Sequence, residues 1–261
     1  MNIEFIPEDD VSNSENYINF KILVLGDYCV GKSVIIKKAV MNKFFKDSPA
    51  TCSFDFSFMH FIVNELKIKL QIWDTMGSRI QRPLIKGLYR NTSLFLLVYD
   101  ITKKDTFEGL DYWLQDIRCN FYRDIPIIIA GNKYDLENKR EVDYNEAKEF
   151  SLLNKVRYFT ECSAKTGYNI DNIFYEAAKN IYNTYKESGK NKNKISGGKL
   201  KITIDKNEDN NHKKSLLDKL FNNKIKNGMD NNEDNTCKKL EKNKIPSEFS
   251  SNYILNKYSN F

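Results

Sequence analysis

The chain has 261 residues, of which 41% are hydrophobic and 29% charged, with a formal net charge of +6 and a mean hydropathy of −0.59. This length predicts either one large domain or a medium-sized domain with an appendage. No stretch of about 18 apolar residues occurs, so we expect no transmembrane helix, and the acidic N-terminus argues against a secretory signal. Five cysteines without CxxC spacing argue against a zinc site and a disulfide framework, and they favour a reducing, intracellular compartment.

The basic excess of the chain lies entirely in its last 76 residues. Residues 186–261 contain 17 Lys, no Arg and 10 acidic residues, whereas residues 1–185 contain 24 basic and 25 acidic residues. The C-terminal part is also rich in Asn and poor in aromatic residues, a composition that cannot bury enough apolar surface to order itself. We therefore predict a mostly disordered tail over 187–261 and, because the rest is near neutral and the tail lacks Arg, no binding of nucleic acid.

The N-terminal part of the chain predicts an arm, a strand, a helix and a hairpin. Residues 1–18 resemble a short polar arm, and the apolar, β-branched run 20–25 predicts a buried strand that ends at Gly26. Residues 32–41 contain neither Gly nor Pro and predict a helix. Two alternating segments that flank Asn64-Glu65 predict the strands of a hairpin, over 54–63 and 66–73.

The next part of the chain alternates between strands and helices. Three further apolar runs are of the buried-strand type, at 94–99, 125–130 and 156–160. Helical segments fit between and after them, at roughly 105–119, 144–153 and 170–186. This alternation predicts an α/β fold with a mostly parallel sheet, helices on both faces and a ligand site at the carboxyl ends of the strands.

A phosphate-binding motif, GxxxxGK[ST], spans Gly26 to Ser33, directly after a predicted strand and at the start of a predicted helix. Backbone N–H groups of such a loop surround a polyphosphate, and the dipole of the helix favours the negative charge. Lys32 is expected to reach the β- and γ-phosphates, and the hydroxyl of Ser33 to bind Mg²⁺. The residues predicted to line the nucleotide here are Gly26, Tyr28, Cys29, Val30, Gly31, Lys32, Ser33 and Val34.

The second motif, Asn132-Lys133-Tyr134-Asp135, follows a predicted strand and indicates which base is bound. The Asp135 carboxylate can accept hydrogen bonds from N1–H and N2–H₂ of guanine, whereas adenine offers no such pair and would leave the carboxylate unpaired. After the last predicted strand, Ser163, Ala164 and Lys165 can offer backbone N–H groups to the guanine oxygen. The sequence therefore predicts a guanine nucleotide.

Two further segments complete the predicted metal and γ-phosphate site. Asp74 ends a predicted strand and can hold Mg²⁺ through water, and the N–H of Gly77 can meet the γ-phosphate. Thr51 lies 18 residues after Ser33 and is the candidate for the second hydroxyl ligand of Mg²⁺.

With these motifs in order, residues 18–186 resemble the Ras superfamily of small GTPases, and most closely the Rab branch. The resemblance is carried by four segments: KLQIWDT at 69–75, LVYDIT at 97–102, NKYDL at 132–136 and SAKTG at 163–167. It implies a P-loop NTPase fold with a six-stranded sheet and five helices in a domain over 19–186.

The resemblance also implies how the domain works. It implies that GTP or GDP is bound with Mg²⁺, that Phe44 packs on guanine, and that the switch segments 43–53 and 74–90 contact effectors, exchange factors and activating proteins. Phe56 and Trp73 lie where Rab proteins present aromatic residues to effectors, with Leu88 at the third position. An exposed Trp73 next to a mobile loop favours this role, and the alternative is ordinary packing in the β-sheet. The family further implies a role in vesicle traffic and a cytoplasmic location, peripheral on endomembranes.

The predicted catalytic set is Lys32, Thr51, Gly77 and Ser78, and Ser78 departs from the family pattern. Ras and Rab proteins have Gln at this place, which orients the attacking water, and a Ser side chain is too short to reach as far. Tyr28 stands where Ras and Rab proteins have a small residue, and its ring would crowd the γ-phosphate and an incoming arginine finger. We predict slow GTP hydrolysis, unless Arg79 or the Tyr28 hydroxyl substitutes for the missing Gln.

The tail departs from the family as well. The nearest cysteine to the C-terminus is Cys237, so we expect no prenyl anchor, and Asn2 argues against myristoylation. Residues 215–227 predict a short basic amphipathic helix that contacts an anionic membrane or a partner's groove; the alternative is a transiently helical stretch. The competing hypothesis for the whole chain is a GTP-binding scaffold that does not hydrolyse the nucleotide.

Overall fold

The computed structural model describes residues 1–7, 11, 16–44, 54–78, 82–121 and 125–191. The expected Mg²⁺ ligand Thr51, most of the switch segment 43–53, Arg79, Cys237 and the tail helix at 215–227 lie outside these described residues. The predictions for them therefore stay predictions.

Seven strands form one sheet, and helices follow most of them in the chain. The strands are β1 (Ile3–Ile6), β2 (Ile18–Leu25), β3 (Asp55–Val63), β4 (Leu66–Asp74), β5 (Thr92–Asp100), β6 (Ile127–Asn132) and β7 (Tyr158–Glu161). The helices in the described part are α1 (Lys32–Met41), α2 (Arg82–Tyr89), α3 (Lys104–Asn120), α4 (Tyr144–Leu153) and α5 (Ile170–Asn191), with a 3₁₀ segment at Tyr134–Lys139.

The order of strands in the sheet is β1-β3-β4-β2-β5-β6-β7. Strands β4, β2, β5, β6 and β7 are parallel neighbours, whereas β3 pairs antiparallel with β4 and β1 pairs antiparallel with β3. The predicted α/β class with a mostly parallel sheet is therefore confirmed. The parallel strands end at one edge of the sheet, which is where the nucleotide motifs follow them.

Helices cover both faces of the central strands. Ile22 and Val24 of β2 belong to the apolar core that includes α1 and α5, and Phe174 of α5 is fully buried in it. Successive residues of a strand point to opposite faces, so the equally buried Leu23 and Leu25 face the other side of the sheet. There α3 packs against β5. Burial on both faces explains why these strands are continuous apolar runs in the sequence.

The turn between β3 and β4 has the geometry that the predicted hairpin requires. Asn64 and Glu65 both have positive φ, of 43° and 70°, and two such residues form the type I′ turn that matches the twist of paired strands. The Asn64 side chain accepts a hydrogen bond from the N–H of Asn2 at 2.9 Å, and the Asn64 N–H donates to the carbonyl of Asn2 at 3.0 Å. The hairpin turn thus holds the N-terminus of the chain.

The structure corrects the predicted number of strands from six to seven. The additional strand, β1, lies within residues 1–18, which the sequence suggested were an irregular arm. Ile3 and Phe5 alternate with the exposed Glu4, and Phe5 packs edge-on against Phe61 of β3, with ring centroids 5.5 Å apart. Strand β2 begins at Ile18, and α5 continues to Asn191.

We predict that Phe5→Ser lowers the free energy of unfolding by about 2 kcal/mol, since a half-buried Phe contributes roughly half of what a fully buried one does. Urea unfolding of the full chain measures this. Glu4→Ser, on the exposed side of the same strand, is the matched control and should change the free energy of unfolding by less than about 0.5 kcal/mol. Equal effects of the two substitutions would contradict the packing of β1 on β3.

Candidate nucleotide site

The phosphate-binding segment and the base-binding segment touch each other at the carboxyl edge of the sheet. Gly26 directly follows β2, and Gly31 precedes α1 with a φ of 98°. A Cβ atom added at Gly31 would lie 2.3 Å from Nδ2 of Asn132, which follows from the close approach of the two segments. Only glycine both adopts this φ without strain and leaves room for Asn132 to lie so close.

Lys32, the first residue of α1, is buried beneath the phosphate-binding segment. Its ammonium group donates to the carbonyl oxygens of Gly26, at 3.1 Å, and of Asp27, at 2.8 Å. Burial lowers the pKa of Lys32 to about 8, although the neighbouring carboxylates of Asp74 and Asp27 act in the opposite direction. A buried ammonium group held at the loop is the arrangement that binding of phosphate oxygens requires.

The predicted Mg²⁺ ligands Ser33 and Asp74 are in contact. Ser33 Oγ donates to Asp74 Oδ2 at 2.5 Å, while Asp74 Oδ1 is buried and has no hydrogen-bond partner among the described residues. Burial raises the pKa of Asp74, opposed by the Ser33 hydroxyl and by the charge of Lys32. A hydroxyl and a carboxylate with an unsatisfied oxygen are hard ligands that fit Mg²⁺.

Gly77 brings the segment after β4 against the phosphate-binding segment. It has a φ of 71°, and a Cβ atom there would lie 2.4 Å from Nζ of Lys32 and 2.7 Å from the carbonyl oxygen of Asp27. The backbone of Gly77 therefore lies beside the ammonium group that is expected to bind the γ-phosphate. Ser78 follows immediately and is half-buried.

Asn132 holds three loops together. Its Nδ2 donates to the carbonyl of Val30 at 2.9 Å, and its Oδ1 accepts from the N–H of Ala164 at 3.1 Å. Lys133, next in the chain, has a φ of 70° and forms an ion pair of 2.5 Å with the buried carboxylate of Asp100. The phosphate-binding and the base-binding loops are thus one connected structure.

The carboxylate that is predicted to recognise guanine is fixed by the last of these loops. Asp135 Oδ1 accepts from Ser163 Oγ at 2.6 Å, and Lys165 Nζ lies 3.7 Å from Asp135 Oδ2. The Ser163 hydroxyl in turn accepts from the N–H of Thr166 at 3.1 Å. A carboxylate oriented in this way can accept the paired N–H groups of a guanine edge.

Comparison with known proteins agrees with this geometry. The profile of the Ras family matches residues 21–183. The chain is 40% identical to the Ras-related protein Rab-2B of Dictyostelium discoideum over 162 residues, which is 62% of this chain and 80% of the relative. It is also 40% identical to Rab-4A of Bos taurus over 177 residues, 67% of this chain and 80% of the relative.

The chain belongs to the Ras family. Within it, the chain is a Rab-like small GTPase, because its relatives include Rab-2B, Rab-4A and RABA4b of Arabidopsis thaliana, the last 38% identical over 66% of this chain and 76% of the relative. The predicted family and the predicted fold class are therefore confirmed. Members of this family bind GTP or GDP with Mg²⁺ and are GTPases.

Other predicted site residues of this Ras-family domain lie at its surface or just below it. The ring of Tyr28 is 56% exposed, Cys29 is exposed with a φ of 61°, and Phe44 is 40% exposed. Val30 is buried, and Val34 packs partly buried against the core. In the described part of the domain, no helix has the length and apolar composition needed to cross a membrane.

The aromatic residues predicted to face effectors are largely buried. Phe56 and Trp73 stack with ring centroids 5.2 Å apart and are 8% and 6% exposed, and Leu88 is also buried. The ammonium group of Lys21 lies 4.6 Å above the Trp73 ring and donates to the carbonyl of Leu88 in the last turn of α2. The exposure that the sequence suggested for Trp73 is therefore corrected, since Phe56 stacks on the ring and Lys21 lies over it.

The sequence analysis missed one polar contact of the site. Trp113 of α3 donates from Nε1 to Asp27 Oδ1 at 2.9 Å. The only sign of this hydrogen bond in the sequence was the Asp inside the phosphate-binding motif. The Trp gave no sign, because a Trp on the apolar face of a helix is normally explained by packing alone.

We predict that Asn132→Ala lowers the affinity for GDP about a hundredfold, because both the carbonyl of Val30 and the N–H of Ala164 lose their partner. Titration with a fluorescent GDP analogue measures the affinity. Asn180→Ala is the matched control, since it removes only a hydrogen bond to the Glu176 carbonyl within α5. An Asn132 variant with the affinity of this control would contradict the connecting role of the amide.

Proposed function

We propose that this protein is a switch that binds Mg²⁺ with GTP or GDP, and that it hydrolyses GTP slowly. The observation that carries the proposal is the contrast at the end of β4. Ser33 is hydrogen-bonded to Asp74 and Lys32 lies beside Gly77, whereas the residue after Gly77 is Ser78. The site therefore keeps the means to bind the nucleotide and lacks the side chain that orients water in related GTPases.

The nucleotide is held by groups from four loops. The ammonium of Lys32 exchanges its carbonyl partners for phosphate oxygens, and the N–H of Gly77 meets the γ-phosphate. Mg²⁺, when bound, neutralises charge on the β- and γ-phosphates, and Ser33, Asp74 and Thr51 would hold it. Guanine is recognised by Asp135, while the ring of Phe44 would pack on the base.

Slow hydrolysis follows from two side chains. Ser78 is too short to orient a water molecule for in-line attack. The exposed ring of Tyr28 stands at the mouth of the phosphate-binding segment, where an arginine finger of an activating protein would enter. An arginine finger contributes about 10³–10⁵ in rate, so its exclusion would keep the GTP state long-lived. The alternative is that Arg79 or the Tyr28 hydroxyl positions the water.

The proposed biological role is in vesicle traffic, because the similar proteins are Rab proteins. Effectors, exchange factors and activating proteins would contact the segments 43–53 and 74–90. Among these residues α2 is connected to the sheet at its C-terminal end by Lys21, so changes on nucleotide exchange would concentrate nearer its N-terminal end. The protein would be cytoplasmic, with peripheral attachment to endomembranes through its basic tail.

A second candidate function is a GTP-binding scaffold that does not hydrolyse the nucleotide, and Ser78 favours it. The two functions differ in whether the bound nucleotide changes the protein. For a switch, amide hydrogen exchange in α2 differs between the GDP form and the form bound to a non-hydrolysable GTP analogue. Identical exchange in both forms would favour the scaffold.

We predict that single-turnover hydrolysis of bound GTP by the full chain is slow, and that Ser78→Gln or Tyr28→Gly raises the rate about tenfold, a change of about 1.4 kcal/mol in the barrier. Quenched single-turnover assays with Mg²⁺ measure the rate. Ser188→Gln, an equal exchange on the exposed side of α5, is the matched control.

A fast rate in the wild-type protein, equal to that of Ser78→Gln, would contradict slow hydrolysis and would show that another group positions the water. A slow rate in all variants would favour the scaffold.

A further inference from the structure

Asp27, the second residue of the phosphate-binding segment, is held from the side by α3. The hydrogen bond from Trp113 Nε1 to Asp27 Oδ1 measures 2.9 Å, and the indole ring is fully buried. The two residues are 86 positions apart in the chain. A buried indole N–H needs an acceptor, and here the acceptor is a carboxylate beside the nucleotide site.

The backbone of Asp27 contacts both groups that are expected to meet the terminal phosphates. Its carbonyl oxygen accepts from Nζ of Lys32 at 2.8 Å, and an added Cβ on Gly77 would lie 2.7 Å from the same oxygen. Its carboxylate also acts on Lys32, because its negative charge raises the pKa of that ammonium group against the effect of burial. A change in the orientation of Asp27 would therefore act on Lys32 and Gly77, the groups that are expected to meet the γ-phosphate.

A carboxylate at this place would repel a polyphosphate ligand. Like charges a few ångströms apart repel strongly where water is partly excluded. The indole N–H directs one oxygen of the carboxylate to α3 and so restrains the orientation of the side chain. Loss of that donor removes this restraint and favours rotation about the side-chain bonds that brings the negative charge nearer to the phosphates.

We infer that Trp113 is a positioning residue for the nucleotide, which holds the Asp27 carboxylate directed at α3 and out of the phosphate site. This inference rests on the proposed binding of guanine nucleotides. It assigns to Trp113 a role in the preference between GTP and GDP, because repulsion by Asp27 grows with the charge of the ligand and is greatest for the γ-phosphate.

The test is the dissociation of fluorescent GDP and of a fluorescent non-hydrolysable GTP analogue from the full chain with Mg²⁺. Trp113→Phe keeps an aromatic ring in the core and removes the N–H. We expect it to speed dissociation of the GTP analogue about tenfold and that of GDP about threefold or less. Adding Asp27→Asn to Trp113→Phe removes the charge and should restore both rates to within about twofold of wild type.

Two further variants separate positioning from packing. Ile117→Val removes one buried methylene from the same helix and should leave both dissociation rates unchanged. Asp27→Glu leaves the core of α3 intact and lengthens the carboxylate, so it should weaken the GTP analogue selectively, as Trp113→Phe does. It also keeps the test decisive if the Trp113 variant does not fold.

Three outcomes overturn the inference. The first is a Trp113→Phe protein that loses both nucleotides equally, and the second is a double variant whose rates are not restored by Asp27→Asn; either result would reduce Trp113 to a packing role. The third is an Asp27→Glu protein that behaves as wild type. A wild-type protein that binds neither nucleotide is a distinct result, because it overturns the proposed function itself.

Discussion

The site depends first on the side-chain amide of Asn132. Its two hydrogen bonds connect the phosphate-binding segment at Val30 with the base-binding loop at Ala164, and it is buried at the end of β6. An amide serves here because it is both a donor and an acceptor, and no hydrophobic side chain of that size could connect the loops.

Burial of charge is the second constraint, and it explains why the binding groups occur in pairs. Lys32 and Asp74 are both buried. Burial lowers the pKa of Lys32 and raises the pKa of Asp74, so in each case it favours the neutral form. The charge of the other residue opposes this effect in each case, and Asp74 Oδ1 keeps hydrogen-bonding capacity toward the ligand. The buried charges at the carboxyl edge of the sheet thus lower the free energy of unfolding. The apolar strands β2 and β5, which are buried on both faces, raise it.

Local sequence patterns were enough to predict the motifs, the hairpin and the helices α1 and α4, because each depends on residues that are close together in the chain. What they missed depends on distant partners. Strand β1 has only four residues and is held by Phe61 and Asn64, and the contact of Trp113 with Asp27 joins two separate elements. The exposure of Trp73 was misjudged for the same reason, since the contacts that bury its ring come from Phe56 and Lys21.

Nucleotide binding and hydrolysis are carried by separable parts of this fold. The binding groups are fixed at the ends of β2, β4 and β6 by hydrogen bonds that also hold the loops in shape, so their loss would cost stability as well as affinity. Ser78 follows Gly77 and makes none of the hydrogen bonds described above at the site. We therefore expect a substitution at this position to change the rate of hydrolysis and to leave the fold and the ligand contacts in place. In the proposed function, the chain keeps the groups that bind GTP and lacks the group that ends the GTP state.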